Sequence, residues 1–156
     1  MKKKILGLAL AVVGCELAGG LGSLFTRPAI NAWYAGLNKG PLNPPNWVFG
    51  PVWTTLFALM GVAAYLVWEK RKSTAAPKAL MIFAVQLGLN IGWSAIFFGL
   101  RKPGAGLLEM IVLWVAILWT LSYFWKISKP AGALIVPYLL WVSFAAYLNY
   151  SIAILN

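Results

Sequence analysis

The chain has 156 residues, of which 62% are hydrophobic and only 10% are charged, whereas soluble domains carry roughly 25% charged residues. So few charges cannot cover a water-facing surface, and five long apolar runs predict an all-α integral membrane protein, a five-transmembrane-helix bundle. The net charge of +10 comes from Lys and Arg in the loops, where they meet anionic lipid, so membrane lipid is an expected partner and nucleic acid is not.

The first apolar run, at about 5–25, follows three lysines at residues 2–4. A basic start and an apolar centre also fit a cleaved signal peptide, with a lipoprotein-like cleavage box ending at Cys15. The run continues beyond Cys15 to a length of about 20 residues, which matches a bilayer span. We therefore interpret it as a retained transmembrane helix. Glu16 lies in mid-span, where a carboxylate is costly, and is expected to face protein or to be protonated.

A polar loop broken by prolines follows at 26–46. Its prolines lack backbone N–H groups and fix their own φ, so residues 40–46 cannot form a regular helix. Trp33 and Tyr34 add large amphipathic rings, and Pro44 lies in the rigid part. The loop has two interpretations: a lid over a pocket, or an interfacial loop whose aromatic rings anchor at the lipid headgroups.

The remaining apolar runs predict helices at about 47–68, 79–100, 106–125 and 133–155, so that residues 1–156 form a single transmembrane domain. Nine Lys and Arg residues fall on the side of the N-terminus, and four fall on the other side. The positive-inside rule then predicts a cytoplasmic N-terminus, with the aromatic loop and the C-terminus outside.

The third helix carries two contrasting faces. Gln86 and Asn90 are four residues apart and share one face, which Trp93 extends. This face is expected to point inward, because amides that face lipid go unsatisfied. Gly88 and Gly92 form a GxxxG pair about 200° round the helix from Asn90. This smooth face either packs within the subunit or meets a second one, and we favour a homodimer interface.

Aromatic stripes on two other helices add to this polar face. The stripes are Trp53 and Phe57 on the second helix, and Tyr138, Trp141, Ala145 and Leu148 on the fifth. Such stripes are more often packing than binding surfaces. Amides, indoles and a phenol converging from three helices beneath an aromatic loop nevertheless favour an apolar pocket with few polar groups.

Several blocks along the chain resemble the TspO/MBR family of tryptophan-rich sensory proteins and translocator proteins, also called peripheral-type benzodiazepine receptors. The blocks are separated and in the right order, and together they cover the whole chain. They are WYAGLNK (33–39), NPPNW (43–47), PVWT (51–54), QLGLNIGW (86–93), FFGLR (97–101), Glu109 and PYLLWVSFAAYLN (137–149).

The resemblance implies a five-helix bundle, commonly dimeric, with a ligand cavity under the loop between the first two helices. Family members bind porphyrins and haem-pathway intermediates, drug-like isoquinoline carboxamides and benzodiazepines and, in animals, cholesterol. Carried over by position, the pocket residues are Trp53, Gln86, Asn90, Trp93, Trp141 and Ala145, with Trp33, Tyr34 and Pro44 in the lid.

The chain departs from the family pattern in two places. The lid reads Lys39-Gly40-Pro41 where the family usually has Lys-Pro, and Leu42 stands where an aromatic residue is common. After Asn149-Tyr150 the chain contains no Lys or Arg, so the proposed cholesterol motif of animal members is absent. These features point to a prokaryotic member and away from sterol transport.

The expected function is a membrane receptor or transporter-like protein that binds a porphyrin or a similar flat, drug-like molecule, without an obligatory cofactor. Arg27 or Lys39 would pair with propionates at the cavity mouth. The chain has no His, so imidazole-ligated haem is not expected and no metal site is predicted. One alternative is light- or oxygen-dependent degradation of the bound porphyrin, which would make the protein an enzyme. Another is a tetrapyrrole or lipid transporter.

Overall fold

A membrane offers backbone N–H and C=O groups no water, so each apolar run must satisfy its own hydrogen bonds as a helix. The computed structural model describes residues 2–156 and contains five long helices. They are α1 (Lys2–Ile30), α2 (Phe49–Glu69), α3 (Ala76–Ser94), α4 (Pro103–Ile127) and α5 (Lys129–Leu155). All five helical segments are long and apolar enough to cross a membrane. The prediction of a five-helix membrane bundle is confirmed.

The helices pack as a ring in the order α1, α2, α5, α4, α3, with α3 closing on α1. A core of buried apolar side chains from all five helices fills the ring at the end away from the lid. The amide face of α3 points into the ring as predicted, since Gln86 and Asn90 are buried.

The closest approach of α1 to α2 occurs at Gly61. A Cβ atom built there would lie 2.5 Å from the backbone Cα of Val12, a distance that no side chain tolerates. On either side of this crossing, the rings of Tyr65 and Phe57 lie between the helices, against Gly7 and Gly19 respectively. The two backbones therefore approach most closely at Gly61, and aromatic rings fill the interface on both sides of it.

The first loop is shorter than the sequence predicted. Helix α1 continues through Pro28 to Ile30, so the loop covers residues 31–45 instead of 26–46. Pro28 removes one N–H donor and its ring crowds the carbonyl of Leu24, a cost that tertiary packing of this last turn offsets, since Ala29 is buried against the aromatic cluster under the loop. Short 3₁₀ turns at Tyr34–Gly36 and Asn46–Val48 complete the path to α2.

The third helix also ends differently from the prediction of a regular helix to residue 100. Its last turn, Ala95–Gly99, is a π-helix in which the Leu100 amide donates to the Ala95 carbonyl at 2.8 Å. The wider turn lets two consecutive rings, Phe97 and Phe98, both be buried beneath the loop. Turns of this kind are frequent at functional sites. Arg101, with φ of 55°, then reverses the chain into α4.

Gly61→Ala tests the helix crossing. An added methyl group would force α1 away from α2, and overpacking of this kind costs about 1–3 kcal/mol. The melting temperature in detergent should fall clearly. Gly104→Ala is the matched control, because nothing lies within 4 Å of a Cβ at that exposed position. A crossing that tolerates Gly61→Ala as well as Gly104→Ala would contradict the close approach.

Candidate ligand-binding cavity beneath the lid

A cavity of about 500 Å³ lies between α1, α2, α3 and α5, directly beneath the loop at residues 31–45. We call this loop the lid. The wall on the α1 side is built from small residues, among them Gly19, Gly20 and Gly22. A Cβ at Gly20 would have no neighbour within 4 Å, so this part of the wall is open, whereas Gly19 and Gly22 let the Phe57 ring and the Ser94 hydroxyl pack close to α1.

The cavity mouth lies between α1 and the N-terminal half of α2. The exposed members of the wall, such as Gly20 and Arg27 on α1 and Gly50 and Thr54 on α2, all lie along this gap. Trp47 stands beside them with 74% of its surface exposed. A ligand would therefore enter sideways between two helices and pass the Trp47 ring.

Eight of the twelve residues that the sequence singled out for ligand binding contribute to the cavity wall. They are Tyr34, Trp53, Phe57, Asn90, Trp93, Trp141, Ala145 and Leu148. The stripe residues of α2 and α5 thus meet the polar face of α3 around one space. Trp33, Pro44, Gln86 and Tyr138 are not part of this wall.

Two of these residues support the wall from behind. Tyr138 is 1% exposed, and its hydroxyl accepts a hydrogen bond from Asn90 Nδ2 at 2.9 Å. Gln86 is fully buried one turn from Asn90, with its amide nitrogen 3.8 Å from the sulfur of Met60 and its amide oxygen without a partner among the described residues. The other two belong to the lid, since Trp33 packs under it and Pro44 lies in it.

A second polar chain fixes the upper end of the cavity. Trp93 Nε1 donates to Asn149 Oδ1 at 3.1 Å, and Asn149 Nδ2 donates to the carbonyl of Pro103 at 2.7 Å. This chain joins α3, α5 and the start of α4. It holds the Trp93 indole against the cavity, where its ring stacks on Phe97 at a centroid distance of 5.2 Å.

Trp141 contributes an unused donor to the wall. Among the described residues, its buried Nε1 has no hydrogen-bond partner. An orphaned buried N–H costs free energy unless a ligand or water accepts from it. Because the indole forms part of the cavity wall, a ligand oxygen is the acceptor that this position fits.

Charged groups lie at two levels of the cavity. Glu16 faces the cavity and not lipid, in agreement with the expectation that a mid-span carboxylate faces protein. Arg27 lies at the mouth. Lys39, the other cation that the sequence offered, donates to the carbonyl of Leu37 at 3.1 Å and lies over the Tyr34 ring. Arg27 is thus the cation available to a ligand at the mouth, and Lys39 stabilises the lid.

An aromatic cluster seats the lid on the π-helical turn of α3. Trp33 meets Phe97 edge-on at 5.6 Å, and Tyr34 lies 5.7 Å from Phe98. The Tyr34 hydroxyl donates to Asn43 Oδ1 at 2.9 Å, across the lid. Burial raises the pKa of the Tyr34 phenol, and the hydrogen bond to Asn43 partly offsets this effect. The phenol therefore stays protonated at neutral pH and keeps its role as donor.

The far end of the lid is tied to the end of α5. Asn38 donates its backbone N–H to Asn156 Oδ1 at 3.0 Å, and its carbonyl accepts from Asn156 Nδ2 at 2.9 Å. Gly40 lies against Ser151, where a Cβ would approach the serine oxygen to 3.0 Å. Glycine after Lys39, a departure from the usual family pattern, thus lets the lid pass close over α5.

Sequence reasoning missed part of this site. It did not include the glycine wall of α1 or the two phenylalanines of the π-helical turn, Phe97 and Phe98, which both line the cavity. The cluster of Gly19, Gly20 and Gly22 was the available signal, since three such residues in one helix leave room for a neighbour or a ligand. No pattern in the sequence indicated the π-helix.

The latch between Asn38 and Asn156 can be tested directly. Asn156→Ala removes both side-chain partners of the Asn38 backbone, and each such hydrogen bond contributes about 1 kcal/mol. Hydrogen exchange at residues 37–43 should become several-fold faster. Asn31→Ala, at an exposed asparagine at the other end of the lid, is the control and should change nothing. Unchanged exchange in Asn156→Ala would show that the aromatic cluster alone holds the lid.

Comparison with known proteins agrees with this architecture. The family model described as the TspO/MBR family matches residues 11–155. A tryptophan-rich protein TspO from Chlorobaculum tepidum is 47% identical over 160 residues, which cover 100% of this chain and 99% of the relative. A protein of the same name from Archaeoglobus fulgidus is 42% identical over 152 residues, with coverage of 97% and 98%.

The similarity extends to animals. The translocator protein of Homo sapiens is 38% identical over 150 residues, which cover 94% of this chain and 86% of the relative. The resemblance seen in the sequence motifs is thus confirmed over nearly the full length. This chain is an integral, multi-pass membrane protein that belongs to the TspO/MBR family.

Proposed function

We propose that this protein is a membrane receptor that binds a flat, largely apolar, partly anionic tetrapyrrole, such as a porphyrin, in the cavity beneath the lid. The observation that carries the proposal is the wall itself, where three indoles, those of Trp53, Trp93 and Trp141, surround one space of about 500 Å³. This volume lies within the range of small-molecule sites. Planar rings offer such walls large stacking surfaces, and other flat, drug-like molecules of similar size would use the same surfaces.

The polar groups of the cavity fit a ligand that is charged at one edge. Arg27 at the mouth suits a carboxylate such as a propionate, because guanidinium and carboxylate form strong paired hydrogen bonds. Glu16 lies eleven residues deeper on α1, about 16 Å along the helix axis. Trp141 Nε1 adds a donor to a wall that also contains polar groups such as Asn90. A tetrapyrrole with its acidic edge at the mouth fits this order, because its anionic groups then lie beside Arg27 and away from the Glu16 carboxylate.

Trp53→Phe tests the cavity assignment. The indole of Trp53 lies 5.7 Å from the Phe57 ring and 6.2 Å from the Tyr138 ring. Phenylalanine keeps the packing but loses stacking area, so porphyrin affinity should fall several-fold while the melting temperature stays nearly unchanged. Fluorescence titration of the purified protein with a panel of porphyrins measures the affinity.

Trp119→Phe is the matched control for that titration. Trp119 is 62% exposed on α4 and forms no part of the cavity wall. Its replacement removes one fluorophore but should leave the affinity at the wild-type value. Equal affinities for Trp53→Phe and wild type would place the porphyrin elsewhere.

Illumination of the same samples distinguishes a receptor from an enzyme. Tryptophans that surround the cavity are oxidisable and would stand next to a bound porphyrin, which is the feature that favours the degradation alternative. A receptor leaves the porphyrin spectrum as it is in buffer under light. New products that form only in the presence of the protein, and fewer in Trp53→Phe, would establish degradation.

We also propose the orientation and the assembly. The excess of Lys and Arg at the end of the bundle opposite the lid supports a cytoplasmic N-terminus, with the lid and the C-terminus outside. The exposed Gly88, which has open space around a Cβ position, supports a homodimer through the glycine face of α3. Gly92 is closer to its own subunit, because a Cβ there would lie 3.8 Å from Glu109 Oε1.

Gly88→Leu is therefore the sharper test of the dimer. Within one subunit nothing lies within 4 Å of a Cβ at this exposed position, so folding and porphyrin affinity should be preserved. Between two subunits it would separate helices that approach at Gly88, and crosslinking should shift towards monomer. Gly104→Leu, another open glycine, is the control. A Gly88→Leu protein that crosslinks like Gly104→Leu would locate the interface on another face.

A further inference from the structure

A second hollow lies at the opposite end of the bundle from the lid. It is a groove of about 590 Å³ between α1, α2 and α3, and it shares no wall residue with the cavity. On α1 its wall consists of Gly7, Ala11 and Gly14, and on α2 the rings of Tyr65 and Trp68 form the facing side. On α2 the close approach at Gly61 lies between the residues of the cavity, which end at Phe57, and those of the groove, which begin at Ala64.

The groove is apolar and faces the lipid side of the bundle. Leu10 at its edge is 64% exposed, and Trp68 is 44% exposed. Nothing lies within 4 Å of a Cβ built at Gly14, whereas the Tyr65 ring would lie 3.0 Å from one built at Gly7, so the groove is open at Gly14 and narrows towards Gly7. In a bilayer an apolar groove of this kind fills with apolar chain, since an unfilled void forfeits the dispersion contacts of its walls.

Positive charge surrounds the end of the groove. Six Lys and Arg residues at 2–4 and 70–72 lie within about two turns of Gly7 or Trp68, and Glu69 is the acidic residue among them. Lys4 pairs with Glu69 at 3.2 Å, and the Tyr65 hydroxyl donates to the same carboxylate at 3.1 Å.

The aromatic wall connects this charge to the groove. The Arg71 guanidinium lies 4.0 Å from the centroid of the Trp68 ring, so one face of the groove wall ends in a cation. Lys2, Lys3 and Lys72 are exposed at the same end. The cations therefore lie where the headgroup of a lipid would be if its acyl chain occupied the groove. Juxtamembrane cations of this kind attract anionic lipid.

We propose that this groove binds one anionic phospholipid, with an acyl chain along Gly7, Ala11 and Gly14 and the phosphate among the cations. The open space at Gly14 sets the path of the chain. Six cations lie at this end against a single carboxylate, that of Glu69. This surplus of positive charge sets the preference for an anionic headgroup over a zwitterionic one. The site is independent of the cavity and does not depend on the proposed porphyrin ligand.

Two matched variants on α1 separate the two hollows. Gly14→Leu places a side chain in the groove, and Gly20→Leu places the same side chain in the cavity. Neither meets a protein atom within 4 Å of its Cβ. Purified wild type and both variants are titrated with phosphatidylglycerol, and with phosphatidylcholine of the same acyl chains. Melting temperature and native mass spectrometry report the bound lipid.

Wild type should retain one phosphatidylglycerol and gain several degrees of melting temperature, with a clearly smaller gain from phosphatidylcholine. Gly14→Leu should lose the retained phosphatidylglycerol and most of the rise in melting temperature. Gly20→Leu should keep the bound lipid and the rise in melting temperature. Equal retention in Gly14→Leu and wild type would overturn the proposal. Loss in Gly20→Leu alone would place the lipid in the cavity and also overturn it.

A charge variant tests the headgroup without touching the packing. Lys3→Gln combined with Lys72→Gln removes two exposed cations and should reduce the preference for phosphatidylglycerol over phosphatidylcholine at least two-fold. Lys102→Gln combined with Lys39→Gln removes the same charge at the lid end and should leave the preference intact. An unchanged preference in Lys3→Gln/Lys72→Gln would show that the cations do not select the lipid.

Discussion

How closely α1 can approach α2 decides the shape of everything inside this bundle. Gly61 allows the backbones to meet at Val12, and the rings of Phe57 and Tyr65 pack between the two helices on either side. Gly20 in the cavity wall and Gly14 in the groove wall leave open space, because a Cβ at either position would have no neighbour within 4 Å. Small residues on α1 thus leave room for the cavity above the crossing and for the groove below it.

Scarce polar groups are the second constraint, and the bundle uses nearly all of them to fix geometry. Asn90 with Tyr138, and Trp93 with Asn149 and Pro103, link different helices by direct hydrogen bonds. In a membrane these links persist because no water competes for them. They hold the aromatic wall in position. The buried Nε1 of Trp141 is left as a hydrogen-bond donor that a ligand can still use.

Much of this architecture is readable in the sequence, because hydropathy and proline positions determine where helices lie. The inward face of α3 followed from the cost of lipid-exposed amides at Gln86 and Asn90. The sequence did not predict that Gln86 and Tyr138 lie behind the cavity wall. A helix face shows in which direction a side chain points, but not how far it lies from the cavity. The continuation of α1 through Pro28 and the π-helical turn under the lid depend on tertiary contacts, which no local pattern encodes.

Crystals grown with a zinc porphyrin can show whether the cavity beneath the lid is the ligand site. Anomalous diffraction locates the zinc, which marks the ring centre without reference to any mutation. A porphyrin bound in the cavity gives one zinc peak inside it, with the ring beside Trp53 and Trp141 and an acidic edge towards Arg27. A peak on the outer surface of the bundle, with an empty cavity, would show that the porphyrin binds elsewhere.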